Sequence, residues 1–306
     1  MDPNRDEAKT MSNLVQQSYA APADGGPGSL YLVATPIGNL EDMTYRAVRT
    51  LQECDIIAAE DTRQSRKLLT HFDIPTKPLF SYHEHNKAAS GPEIIRYIIE
   101  GKNVALVSDA GLPAISDPGA DLVSLAIAAG IAVIPIPGAN AALSALIASG
   151  LPTERFTFIG FLPRERKDII NQLGELTSAH GTLIFYESPH RVKKTLSLMG
   201  EVLGNRKVTL ARELTKRYEE FLRGTVAECL AWLEDHPPLG EYCIVVEAGS
   251  VEDEVREQNA WWQEMALEAH VQHYEEQGLN RKDAMKKTAS DRGVSKRDVY
   301  NALLNE

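Results

Sequence analysis

Apolar residues follow two rhythms between Ser29 and Ser149. Short unbroken runs at 29–34, 55–59, 104–107 and 131–136 are too compact for helices and predict buried strands. Between them, apolar residues recur at helical spacing in YRAVRTL (45–51), in EDTRQSRKLL (60–69), where Leu68 and Leu69 point inward, in IIRYII (94–99) and in 120–129. Pro92 is expected in the first turn of the third of these helices. Small residues from Ala139 to Ala148 suit a helix lying close to another backbone. Strand, loop and helix in strict alternation predict a mostly parallel sheet covered by helices.

A junction at LPTER (151–155) opens a second lobe. Strands are predicted at FTFIGFL (156–162), GTLIFY (181–186), KVTLA (207–211) and YCIVVE (242–247), with a helix entered at Pro189. Beyond about Val251 the strand pattern stops and helical segments follow. Asn280 and Ser295 are placed to cap two of them, with Asp283 and Asp298 three residues on. The predicted organisation is a flexible leader (1–28), an N-terminal α/β domain (29–150), a C-terminal α/β domain (151–250) and a helical tail (251–306) with a possible RNA-binding role.

With 306 residues, 43% apolar and 25% charged, the chain has the composition of a soluble enzyme. It has no apolar run long enough to span a bilayer, so a cytoplasmic protein without membrane contact is expected. Cys54, Cys229 and Cys243 are odd in number and widely spaced, which predicts reduced structural cysteines. A net charge of −11 argues against indiscriminate coating of nucleic acid, although cations cluster at 155–167, 190–194, 206–217 and 281–297.

The chemistry is expected in three loops at strand ends: ATPIGNL (34–40), SDAGLPAISDPG (108–119) and PIPGAN (135–140). In a parallel sheet such ends share one edge and converge on a ligand. The first loop has neither the three glycines of a dinucleotide fingerprint nor the lysine of a nucleotide-triphosphate loop. The second is long, turned and rich in backbone donors, which suits a folded zwitterion. Glu60 and Asp61 at one strand end are candidate proton acceptors beside Arg63. His83, Glu84, His85 and Asn86 form a cluster able to bind hydrogen-bonding partners, and Glu187, His190 and Arg191 form another; neither has a metal-ligand spacing.

LVATPIGNLEDM (32–43), AEDTR (59–63), YHEHN (82–86), VSDAGLPAISDPG (107–119), PGAN (137–140), the turn at 160–163 and YESPHR (186–191) together resemble the ribosomal RNA small-subunit methyltransferase I family, a branch of the tetrapyrrole-methylase fold. The resemblance runs in unbroken order from about Ser29 to Gly249 and implies a two-lobed α/β fold with a small helical module. It also implies S-adenosylmethionine-dependent methylation of a cytidine ribose 2'-oxygen in 16S rRNA of the small ribosomal subunit, and a homodimer; without metal-spaced ligands in the sequence, no metal is expected. Carried onto this sequence, it assigns the cofactor to Asp109, Ala110, Gly111, Ile115, Ser116, Asp117, Pro137, Gly138, Phe161, Tyr186 and Leu214. Catalysis is expected from Glu60, Asp61, His85 and Glu187, and RNA contact from Asn39, Arg63, His83, Asn86, Arg164, Arg166, Lys167 and Arg191. Two other functions remain open at this point: methylation of a tetrapyrrole precursor, which the first loop's lack of a G-x-G-P-G-D pattern disfavours, and a non-catalytic RNA-binding assembly factor.

Overall fold

The computed structural model describes residues 15–18, 25–249, 262, 265–292 and 294–304. The chain divides into two compact units, residues 1–174 with 181–247, and residues 175–180 with 248–306.

The first unit contains two five-stranded sheets. One is built from β1 (Ser29–Val33), β2 (Ile56–Ala59), β3 (Leu79–Ser81), β4 (Val104–Val107) and β5 (Ala132–Ile136), in the order β3-β2-β4-β1-β5. Every pairing is parallel, as the alternating pattern predicts. Helices α1 (Tyr45–Glu53), α2 (Thr62–His71), α3 (Lys87–Ile99) and α4 (Ala120–Ala128) connect these strands. β2 and β4 are buried along their whole length because both sheet faces are covered. Ile57, Ala59, Ala105 and Val107 pack with Ala47, Leu51 and Leu69 on one face, and Ile56, Ala58, Val104 and Leu106 pack with Ile94, Ile98 and Leu122 on the other.

Pro92 lies inside α3 rather than in its first turn, because the helix opens at Lys87, just after Asn86. The leader lies mostly outside the described residues, but Gln16 contributes to the fold. Its amide pairs with edge strand β5, Nε2 donating to the Val133 carbonyl and Oε1 accepting from the Val133 N–H, both at 2.9 Å. An edge strand leaves such backbone groups unpaired, and the side chain satisfies two of them.

The second sheet contains β6 (Phe156–Phe161), β7 (Thr182–Glu187), β8 (Lys207–Arg212), β9 (Glu220–Thr225) and β10 (Tyr242–Val246), in the order β6-β7-β10-β8-β9. Only β6 and β7 are parallel; β10 runs antiparallel to both β7 and β8, and β8 antiparallel to β9. The elements added here are α5 (Ala141–Ser149), α6 (Arg166–Gly174), α7 (Val192–Val202) and α8 (Val226–Asp235). Although α5 precedes the junction at 151–155, it packs on the second sheet: Ala142, Ala145 and Leu146 meet Ile184, Ala211, Cys243 and Val245. The small residues of α5 fit that sheet's face. Cys54, Cys229 and Cys243 are buried free thiols.

In the second unit, α9 (Leu267–Glu276), α10 (Arg281–Asp291) and α11 (Lys296–Leu304) share a core of Val271, Ala284, Met285, Ala289 and Val299. Asn280 and Ser295 accept from the N–H groups of Asp283 and Asp298 at 3.0 and 3.2 Å, the capping that the spacing predicts.

Candidate active site

Parallel strand ends bring the first two glycine loops into direct contact. Thr35 and Gly111 exchange two backbone hydrogen bonds, of 2.9 and 3.0 Å, and the Thr35 hydroxyl donates to the Ser108 carbonyl. Gly111 is at φ +79°, where a side chain is disfavoured, and a Cβ there would press on Ile37. Ala114 and Ser116 also hold left-handed backbone without being glycine, a strained conformation of the kind that clusters at binding sites. The third loop ends at Asn140, whose side chain caps α5 by accepting from Leu143 N–H at 2.9 Å.

The second sheet closes the opposite wall. At Gly160 the β6 ladder shifts register, and a Cβ there would sit 3.1 Å from Ser116 Oγ, so this strand approaches the second loop closely. Tyr186 accepts a hydrogen bond from Ala142 N–H at 3.2 Å, and burial pushes its phenol up to about 12. After β8 the chain turns through Glu213 and Thr215, again non-glycine residues at positive φ. Glu213 accepts from the Glu241 N–H at 3.0 Å and from Lys216 Nζ at 2.9 Å, and Lys216 also pairs with Glu241 at 2.8 Å.

Between these walls is a cavity of about 490 Å³, within the usual range for a small-molecule site. Its apolar lining includes Ile37, Leu112, Ile115, Phe161, Tyr186 and Leu214, and its acidic lining includes Asp117, Glu187, Glu213 and Glu241; Lys216 is the one lysine or arginine among the described lining residues. Burial, and next the neighbouring Glu60 charge, raise Asp117 to about 6. Glu60 is also raised, first by burial.

Residues 29–230 match the family model described as Tetrapyrrole (Corrin/Porphyrin) Methylases. Proteins called Ribosomal RNA small subunit methyltransferase I are similar almost from end to end. The one from Halalkalibacterium halodurans is 59% identical, with 95% of this chain and 99% of that relative covered; the one from Bacillus subtilis is 54% identical, with 94% and 97% covered; and the one from Synechocystis sp. is 46% identical, with 90% and 98% covered. This chain belongs to the ribosomal RNA small subunit methyltransferase I family. It is a methyltransferase of the tetrapyrrole-methylase fold. Solved structures share that fold at low identity: the methyltransferase CobJ has a TM-score of 0.55 at 18% identity, covering 72% of this chain and 94% of that one, and a diphthine synthase has 0.57 at 13%, covering 72% and 90%.

The cavity fits S-adenosylmethionine, the family's methyl donor. Apolar side chains offer a wall for adenine, and an excess of carboxylates suits a ligand carrying sulfonium and ammonium charges. Among the described residues, no cluster of three or more His, Cys, Asp or Glu side chains has an arrangement that could hold a metal ion.

Of the residues assigned to the cofactor from sequence, Ala110, Gly111, Ile115, Ser116, Asp117, Phe161, Tyr186 and Leu214 line the cavity. Asp109, Pro137 and Gly138 do not. Asp109 instead ties two strand ends together by accepting from Asp61 N–H at 3.1 Å, and Gly138 allows close packing, since a Cβ would lie 2.7 Å from Ala34 Cβ.

The four residues expected in catalysis separate. Glu187 reaches the cavity wall, but its buried carboxylate accepts from Ser188 N–H at 2.8 Å and Thr195 Oγ1 at 2.7 Å and lies 3.4 Å from Arg191. It anchors the turn into α7. Asp61 caps α2 and pairs with Arg63, whose hydrogen bonds hold it down to about 2. His85 is exposed and lies edge-on to His83. Glu60 sits at the β2 end, accepting from Asp109 N–H at a long 3.5 Å.

Most of the residues assigned to RNA have structural partners. Arg191 donates to the Leu162 and Pro163 carbonyls at 2.9 and 2.7 Å, Arg166 forks onto Glu201, and Asn39 and Asn86 brace their own loops. His83 is half-buried and its Nδ1 has no hydrogen-bond partner among the described residues. Arg164 and Lys167 are exposed and make no ion pair with a described residue.

The sequence reading missed Glu213, Lys216, Glu241, Tyr242 and Cys243. ELTK after a strand was a visible signal for the first two. Glu241 precedes a strand, and nothing local marks it.

Proposed function

We propose that this methyltransferase transfers the methyl group of S-adenosylmethionine to the ribose 2'-oxygen of a cytidine in 16S rRNA of the small ribosomal subunit. The carrying observation is the 46–59% identity, over nine-tenths or more of the chain, to relatives whose name specifies ribosomal RNA of the small subunit. The cavity supports it. Bound S-adenosylmethionine supplies a methyl carbon on a sulfonium, electrophilic enough to be taken by an oxygen.

The protein holds and aligns the reactants. The loop around Gly111, braced by Thr35, fixes one end of the donor, while Phe161, Tyr186 and Leu214 enclose the adenosine. Asp117 accepts the ribose hydroxyl proton: it lines the cavity, and a base near 6 is ionised at neutral pH while keeping some affinity for a proton. Glu60 stands behind it as a second carboxylate, raising Asp117 by its charge. Arg164 and Lys167 offer phosphate contacts.

The working form is a homodimer. Leu143 and Ile147, one turn apart on α5, are 45% and 77% exposed, an apolar strip for a second copy to cover. Ribosomal subunits as substrate place the reaction in the cytoplasm, and no described helix is long and apolar enough to cross a membrane.

Incubating the purified full chain with labelled methyl donor and undermethylated small subunits, then mapping the product by mass spectrometry, tests the reading. A labelled cytidine 2'-O-methyl group is expected. Label on a tetrapyrrole precursor and none on RNA would overturn the substrate, and RNA binding without transfer would leave only an assembly role.

A further inference from the structure

A second concavity adjoins the cavity. It is an open groove of about 630 Å³ between the first loop, at Gly38 to Leu40, and the turn from Thr215 to Arg217. Lys216 lines both spaces, so the groove lies beside the cavity. The two loops approach closely, since a Cβ on Gly38 would lie 2.4 Å from Lys216 Cγ.

Every carboxylate close in sequence to Arg217 is engaged elsewhere. Glu213 and Glu241 hold Lys216, Glu219 accepts from Thr215 N–H at 2.7 Å, and Glu220 pairs with Arg212. Arg217 is exposed and makes no ion pair with a described residue, in a chain whose net charge is −11. This contrasts with Arg63, Arg166 and Arg191, each of which faces an acid. Next to it Tyr218 is 65% exposed, with the Arg217 guanidinium carbon 5.6 Å from the ring centre. An exposed aromatic ring beside an uncompensated guanidinium, on a turn held rigid by its hydrogen bonds, is the pairing that single-stranded RNA favours, the ring stacking on a base and the cation meeting a phosphate.

We propose that Arg217, on the groove wall, and Tyr218, next to it on the same exposed turn, form a nucleotide clamp, Tyr218 stacking on an unpaired base next to the methylated nucleotide and Arg217 binding the adjoining phosphate. The clamp rests on the RNA substrate proposed above. Stacking tolerates any base and positions the strand, whereas the cavity selects the reacting sugar.

Steady-state methylation of undermethylated small subunits by the full chain tests it, using Tyr218→Ala, Tyr218→Phe, Tyr218→Trp and Arg217→Ala. Calorimetric binding of S-adenosylmethionine and sedimentation accompany each variant. Tyr218→Ala is expected to raise KM for subunits roughly 10-fold or more, with kcat and cofactor affinity within about twofold, while Phe and Trp keep wild-type KM. Arg217→Ala should reduce the slope of log affinity against log salt by about one unit. Unchanged KM in Tyr218→Ala, Phe failing as badly as Ala, or lost cofactor binding or altered oligomeric state would overturn the clamp. If the wild-type chain methylates no subunit RNA, the substrate reading itself has failed, which these variants do not imitate.

Discussion

The two sheets of the first unit build their shares of the cavity differently. In the first, all pairings are parallel, so every loop that serves the site follows a strand. In the second, β10 is antiparallel to its neighbours on both sides, and the register sets Tyr242 opposite both Glu187 and Arg212. The start of β10 therefore lies beside the ends of β7 and β8, and Glu241, Tyr242 and Cys243 join the wall from before and within a strand. A parallel sheet gathers loops by direction alone; a mixed sheet gathers them by register.

The sharpest way to test the first sheet's contribution is Asp117→Asn. With its proton acceptor gone, kcat should fall by about 100-fold or more, measured on small subunits under saturating donor. The wild-type rate should rise with pH through about 6 and then level, and the variant should lose that inflection. Stability should move the opposite way. Because folding raises this carboxyl, its ionisation favours unfolding: stability is full below the unfolded value of about 4 and is lost as pH climbs through about 6. Asn cannot ionise, so the variant should match the wild type in acid and exceed it above pH 6 by about 1 kcal/mol, after allowing for partial solvent screening. An inflection near 6 that survives in the variant would remove Asp117 from the proton transfer.

A pair of glycine substitutions then separates the sheets. Gly138→Ala drives a Cβ to 2.7 Å from Ala34 Cβ and should cost about 2 kcal/mol in urea unfolding, because that methyl is fixed to the backbone and cannot swing aside. Gly240→Ala first meets the side chain of Glu213, at 2.4 Å, and adopts left-handed backbone. Its expected cost is about 1 kcal/mol, with a larger proportional loss of cofactor affinity as Glu213 and Lys216 are displaced. Equal cofactor affinity in both would mean the Glu213–Lys216–Glu241 network has no part in the site. The smallest effect is expected from Gln16→Ala, which frees one edge of β5 and should lower stability by less than about 1 kcal/mol.

The sequence was most legible where chemistry and chain direction coincide. Gly111, Ile115, Ser116 and Asp117, which the family resemblance assigns to the cofactor, all lie on the cavity wall in the one loop that follows β4. Asp109 and Glu187 looked equally chemical, yet one brackets two strand ends and the other holds a turn. A carboxylate's role depends on which donors surround it, and those donors come from distant sequence. Arg191 shows the same point: a cation in a polar motif serves as an internal strut once two carbonyls face it.

By itself, the sequence determined the alternation of elements, the parallel first sheet, the helix caps and the loops with glycine where the backbone turns left-handed, because each depends on local sterics and burial periodicity. The tertiary structure alone decided that α5 packs on the second sheet, that β10 lends its start to the cavity and that Arg217 faces no acid among the described residues. Those outcomes depend on pairing register and on competition among charges remote in the chain, which no local pattern records.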